Sequence, residues 1–221
     1  MEKLASILIP TRGRFNELLK AIKSIIDATN NLDRIEIILR FDDDDKSSLD
    51  RLGELPKNID INVMVGKRYG YVELHKYVNE MCAETKGEFI AWFNDDCIIE
   101  SKNWDNIVAQ YTGKIVCFYP NNKGTGSGNI FPIISRKIYE ILGHFSLAQQ
   151  VDSWHHYVGK IAGIEVYRDD LVFIHNRKQE YISDENRGET LEKNRIIWES
   201  LDSEIIKDAA KIARYIKSKG K

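Results

Sequence analysis

The run Phe89-Ile90-Ala91-Trp92-Phe93-Asn94-Asp95-Asp96-Cys97-Ile98-Ile99 drives an apolar stretch straight into two adjacent carboxylates. Apolar residues bounded by charge read as a strand buried on both faces. Carboxylates at the carboxyl end of such a strand stand where open α/β sheets bind ligands. Holding them beside a core strand is costly unless a cation or hydrogen bonds offset their charge. Hard, oxygen-seeking Mg²⁺ or Mn²⁺ carrying a diphosphate suits such a pair. A tight Asn-Asp-Asp turn with no ligand is the plain alternative.

Two more strand ends carry reactive groups. Ala5–Ile9 is a short apolar strand halted by Pro10 and followed by Thr11-Arg12-Gly13-Arg14, and Ile35–Phe41 runs into Asp42-Asp43-Asp44-Asp45. In a parallel sheet these loops share one edge, so basic and acidic groups converge there. That mixture suits a nucleoside diphosphate bound through a metal. Asp42 would accept hydrogen bonds from a base or ribose, and Arg68, after a third strand at Ile61–Val65, would reach a phosphate or the base. Asp43–Asp45 read equally as a solvated loop or an adventitious calcium site.

Helices must space these strands. Leu18, Leu19, Ile22, Ile25 and Ile26 recur at helical spacing, and Tyr71–Thr85 reads as a second helix with Gly87 closing it. Strand–helix alternation over the first hundred residues predicts a mostly parallel sheet with right-handed crossovers. Further on, Trp104–Tyr111 reads as a helix, Ile115–Tyr119, Ile130–Ile134 and Val172–Ile174 as strands, and Ser153–Ile161 as a helix. Glu192–Lys219 reads as helical to the end. The glycine-rich segment 121–129 lacks the ending of a phosphate-binding loop and reads as a flexible lid.

Composition excludes several classes. The 221 residues carry a net charge of −2, with 43% hydrophobic and 30% charged, which leaves no global basic field for nucleic acid. Cys82, Cys97 and Cys117 lie in apolar segments without Cys-x-x-Cys spacing, as buried thiols of a reducing compartment do. No run approaches the roughly 20 apolar residues of a membrane span, and Met1-Glu2-Lys3-Leu4-Ala5 lacks the long apolar core of a signal peptide, so a cytoplasmic location is expected by default.

The ordered set of motifs carries a resemblance over roughly residues 5 to 175. Ser6-Ile7-Leu8-Ile9-Pro10-Thr11-Arg12-Gly13-Arg14 resembles the opening of family 2 glycosyltransferases of the GT-A fold. Gly70-Tyr71 through Asn79-Glu80, then Lys86-Gly87-Glu88-Phe89-Ile90, resembles the helix and strand leading to that family's acidic metal motif. Asn94-Asp95-Asp96 stands in place of its Asp-x-Asp, with Asn at the first acidic position.

The resemblance implies an α/β GT-A (Rossmann-like) fold: a mostly parallel central sheet flanked by helices, with a C-terminal helical extension. It places a transferase domain over 1–180, its nucleotide-binding half to about 100 and its acceptor half beyond, with 181–221 packed on it. Pro10, Thr11, Arg12, Asp42, Arg68 and Asp95 would bind the nucleotide. Asp96 would hold Mn²⁺ or Mg²⁺, with His175 resembling the late histidine that completes the metal shell in some of these enzymes. Asp152 falls where the family places its catalytic carboxylate, which takes the acceptor hydroxyl's proton. As a residue opening a helix, it reads also as an N-cap. Trp154 and His155 are the acceptor-binding candidates, Trp154 reading also as a core anchor.

The implied reaction is inverting, metal-dependent transfer from a nucleotide-diphosphate sugar, a UDP-sugar by resemblance, to a glycan, lipid-linked or small-molecule acceptor. Two rivals stand beside it: a sugar-phosphate nucleotidyltransferase, and a protein that holds nucleotide or glycan without turnover. The C-terminal helix, with Lys207, Lys211, Arg214, Lys217, Lys219 and Lys221 among apolar residues, would either pack on its own domain or lie on an anionic membrane.

Overall fold

The computed structural model describes residues 3–123, 130–176 and 201–219. Of the glycine-rich segment read as a loop, 121–123 instead continue a strand; 124–129 and the first part of the expected C-terminal helix lie outside the described residues. The strands form one sheet, in the order β3-β2-β1-β4-β7-β6-β8-β5. They span Ala5–Thr11 (β1), Ile35–Asp42 (β2), Asp60–Gly66 (β3), Phe89–Trp92 (β4), Cys97–Ile99 (β5), Cys117–Lys123 (β6), Ile133–Ser135 (β7) and Glu165–His175 (β8). The helices are Phe15–Ala28 (α1), Lys46–Leu49 (α2), Leu74–Ala83 (α3), Trp104–Ala109 (α4), Arg136–Leu142 (α5), Val151–Ala162 (α6) and Asp202–Lys219 (α7).

β3, β2, β1 and β4 run parallel, as the strand–helix alternation predicts. The second half then reverses: β7 is antiparallel to β4 and to β6, while β8 runs parallel to β6 and antiparallel to β5. The chain winds outward from β1 to β3 and returns on the other side of β1 as β4. A crevice therefore opens beyond the carboxyl ends of β1 and β4, where the winding changes direction. β1 keeps pairing with β2 through Thr11 but with β4 only through Leu8, so Pro10 lies where the strand has one neighbour.

Strand alternation feeds two cores. Ile7, Ile9, Ile37 and Leu39 face α1 and α4 through Leu18, Ile22, Ile25 and Trp104. Leu8, Ile38, Ile90 and Trp92 face the other way, onto Val78 and Met81 of α3, Leu142 of α5 and Trp154 of α6. β2 is buried along its whole length, which accounts for its near-continuous apolar run.

α7 lays Ile205, Ala209 and Ile212 into this second core. Its Asp208 lies 3.2 Å from His144 Nε2 and 3.0 Å from Lys211 Nζ. Ile205, Ala209 and Ile212 are thus covered by the domain, while Ile206 and Ile216 stay exposed. Among the described residues, no helix is long and apolar enough to cross a membrane.

Gly87 does not close α3, which ends at Ala83 with Glu84 as its cap. A Cβ at Gly87 would stand 2.5 Å from Ser6 N and 2.6 Å from Ala5 C, so glycine here lets the turn before β4 press against β1.

Candidate active site

The loop after β1 is built to reach two others. Gly13 takes a left-handed φ of 64°, which favours glycine, and its N–H donates to Asp45 Oδ2 at 2.8 Å. Asp45 also caps α2 by accepting from Ser48 N. The acidic run after β2 is therefore divided in use: Asp45 ties loops together and Asp44 pairs with Arg12. Arg12 Nη1 also donates to Asp42 Oδ2 at 3.2 Å.

Asp42 is buried and held from its other side by the Tyr77 hydroxyl, which donates to Oδ1 at 2.8 Å. Arg40, one residue before Phe41, is buried beneath. It donates to Glu80 Oε2 at 3.0 Å, Gly66 O at 3.1 Å and Lys67 O at 2.9 Å, binding the ends of β2 and β3 to α3. Arg68 is exposed, and its charge reaches Asp44, helping Arg12 hold that carboxyl below its ordinary range.

After β4 the chain presents Asn94, Asp95 and Asp96. Asp95 is 3% exposed and saturated from within. Its Oδ2 accepts from the Thr11 hydroxyl at 2.8 Å and from Arg14 Nε at 3.0 Å, and its Oδ1 pairs with Arg14 Nη2. Arg14 Nη1 extends to Asp96 Oδ2 at 3.4 Å.

Asp96 Oδ1 points the other way, 3.2 Å from His175 Nε2. The antiparallel pairing of β5 with β8 sets His175 opposite Cys97, next to Asp96. Asn94 Nδ2 lies 3.1 Å from the same imidazole nitrogen. Phe131, itself left-handed at φ 60°, packs edge-on to the ring at 5.3 Å. That conformation is unusual for a bulky side chain and is sustained here by a tight aromatic cluster with Phe93 and Phe173. Burial opposes ionisation of Asp96. The close approach and charge of His175 and the charge of Arg14 outweigh it, holding the carboxyl below its ordinary range.

These groups fit a divalent cation. Asp96 Oδ1 is buried and, although 3.2 Å from Nε2, makes no well-aligned hydrogen bond. Two ligand atoms at right angles around an ion about 2.1 Å away stand about 3 Å apart, close to the separation seen. Among the described residues no group of three His, Cys, Asp or Glu converges; an ion held by Asp96 and His175 would take its remaining ligands from phosphate and water.

Asp152 lies in the first turn of α6, whose N-cap is Gln150, so the N-cap expectation for Asp152 is corrected. An acidic side chain is favourable there beside the positive end of the helix dipole. Its backbone oxygen accepts from the Tyr119 hydroxyl at 2.8 Å, which fixes the start of α6 against β6. Burial, and then the charges of Asp96 and Asp152, push the Cys97 thiol well up. The Asp152 carboxylate is thus in electrostatic range of the residue that follows Asp96.

The acceptor candidates part from the site. Trp154 is 0% exposed and His155 1% exposed, because both point from α6 into the second core. His155 packs its ring 4.3 Å from that of Phe145, and burial lowers its pKa to about 3. Neither side chain presents surface to an acceptor sugar.

Pattern reading also passed over Arg14 and Tyr77 as site residues. Arg14 ends the Thr11-Arg12-Gly13-Arg14 motif, and a cation next to a helix start is its one local signal. Tyr77 occupies an ordinary core position of α3, and nothing local distinguishes it.

The model of the family described as glycosyl transferase family 2 matches residues 6–177. No curated protein matches the chain at a significant level. Among solved structures, the mannosyltransferase PcManGT from Pyrobaculum calidifontis in complex with GDP-Man and Mn²⁺ is similar at 12% identity and a TM-score of 0.63. That likeness covers 82% of this chain and 59% of that one, so the chain spans somewhat more than half of its relative's length. S. aureus TarS 1–349 in complex with UDP-GlcNAc is similar at 14% identity and a TM-score of 0.66, over 95% of this chain and 71% of that one. At such identities the likeness establishes the GT-A fold alone. The family match, however, begins in β1 and ends just past His175, taking in every rim residue described above; the chain belongs to glycosyl transferase family 2.

Proposed function

We propose that the chain transfers a sugar, with inversion, from a nucleoside-diphosphate sugar to an acceptor hydroxyl, using a divalent cation held by Asp96 and His175. The observation that carries this reading is the 3.2 Å separation of Asp96 Oδ1 and His175 Nε2 at the rim of the sheet. When bound, Mn²⁺ or Mg²⁺ offsets the charge that grows on the departing diphosphate.

The chain's own residues supply the rest. Asp42, fixed by Tyr77 and Arg12, accepts hydrogen bonds from the base or ribose, and Arg68 steadies the nucleotide from the open side. Asp152 accepts the proton of the attacking hydroxyl as that oxygen bonds to the anomeric carbon and the bond to the diphosphate oxygen breaks. The transition state resembles the oxocarbenium ion of glycoside hydrolysis. A UDP-sugar is the donor we favour, and a glycan, a lipid-linked molecule or a small molecule the acceptor class. Three buried free thiols accord with a cytoplasmic setting.

A thermal-shift panel of nucleotides and nucleotide sugars, with and without Mn²⁺, followed by product analysis of the best binder, tests this. A ligand at a hundred times its dissociation constant stabilises by about 2.7 kcal/mol. We expect UDP or a UDP-sugar to do so only with Mn²⁺, and transfer to invert the anomeric centre. Absence of any metal-dependent shift would overturn the reading, and binding without turnover would mark a protein that only holds nucleotide.

A further inference from the structure

We infer that Arg14 sets the charge of this site: it cancels Asp95, reserves Asp96 for the cation, and so leaves the loaded rim positive toward diphosphate. The inference rests on the nucleotide-diphosphate reading above and deepens it. Asp95 is gripped side-on by Nε and Nη2 of Arg14 and receives the Thr11 hydroxyl as well, so neither of its oxygens faces an ion. The Arg14 side chain keeps 25% of its surface. Planar guanidinium is suited both to carboxylate and to phosphate oxygens.

Charge bookkeeping shows the consequence. Asn94 brings no charge, and an imidazole that ligates the ion brings none. If Asp95 and Asp96 both faced a divalent ion, they would neutralise it before the donor arrived. With Asp95 paired to Arg14, only Asp96 subtracts from the ion, and a unit of positive charge remains for the diphosphate. Arg14 itself lies beside that charge, held by Asp95 with Nη1 turned toward Asp96. Removing Arg14 should therefore move two affinities in opposite directions. Asp95 becomes available to the ion, while the diphosphate loses a cation.

The test measures Mn²⁺ affinity of the nucleotide-free protein by electron paramagnetic resonance, and UDP affinity by calorimetry at saturating Mn²⁺. Arg14→Met should bind Mn²⁺ more tightly and UDP about tenfold more weakly, the size of one charged hydrogen bond. Arg14→Lys should restore part of the UDP affinity. Asp95→Asn should act in reverse, weakening Mn²⁺ and not weakening UDP, and it keeps the question answerable if Arg14→Met folds poorly. A structural defect alone would weaken both ligands together; that outcome, or no change in either, overturns the role given to Arg14. Failure of the wild-type protein to bind UDP at saturating Mn²⁺ would instead remove the nucleotide reading itself.

Discussion

The Tyr77 hydroxyl donates to Asp42 Oδ1 at 2.8 Å while accepting from the backbone N–H groups of Tyr69 at 2.7 Å and Gly70 at 3.0 Å. One phenol oxygen thereby locks the loop after β3 to the carboxylate at the end of β2. Burial pushes its pKa up, so it remains a donor. Both lone pairs and the proton are used, which leaves the group no second orientation.

Tyr77→Phe removes the oxygen and leaves Asp42 and two N–H groups short of a partner, a loss of about 1 to 3 kcal/mol. With Asp42 in its proposed role, binding donor in ground state and transition state alike, the expected result is a KM for donor raised roughly tenfold with kcat within about twofold. Steady-state kinetics check this. An equal fall in kcat would detach Asp42 from donor binding.

Asp152→Asn keeps the shape of the first turn of α6 and removes the proposed proton acceptor. Transfer should fall by about 10² to 10⁴, as for loss of a general base, while calorimetry finds donor affinity unchanged. Near-normal transfer by this variant would end the assignment of Asp152 as base.

Asp96→Asn and His175→Ala each take away one of the two proposed metal ligands. Loss of residues that merely support metal ligands costs 10–100-fold in affinity, so Mn²⁺ binding should weaken by at least about that much. Nucleotide binding measured in EDTA should be the same in wild type and both variants. A variant that kept wild-type Mn²⁺ affinity would place the ion elsewhere.

His155 gives a pH dependence of stability that is separate from the site. Its folded pKa is about 3, whereas an unfolded histidine titrates near 6.5, so below pH 6.5 the unfolded chain binds the extra proton. Stability therefore falls as pH drops from 6.5 toward 3, with His155 contributing about 1.4 kcal/mol per pH unit. Urea unfolding at pH 7 and pH 4.5 should show a shallower acid loss in His155→Gln than in wild type. An identical slope would mean that the imidazole reaches water.

Much of the frame was legible because its signals are local. Apolar alternation in β1 and β2 and helical spacing in α1 follow from each segment's own neighbours, and so does the abrupt change to Asp42 or Asp95 at a strand end. β5 and α5 escaped notice: β5 spans only Cys97–Ile99, and α5 only Arg136–Leu142, too short for periodicity to accumulate. Trp154 shows the opposite failure. An aromatic one turn into a helix looks alike whether that face meets solvent or core, and packing against Phe145, His144 and α7 decided for the core.

The sequence by itself determined a sheet whose strand ends carry carboxylates and a basic loop, since backbone periodicity and charge placement are written residue by residue. Which carboxylate meets which partner belonged to the tertiary structure. Arg14 reaches Asp95 across 81 residues, and His175 reaches Asn94 across the same separation. Those meetings depend on strand order and on the register of β5 against β8. A slip of one residue would turn His175 to the opposite face of the sheet, so division of labour between Asp95 and Asp96 came only with the folded chain.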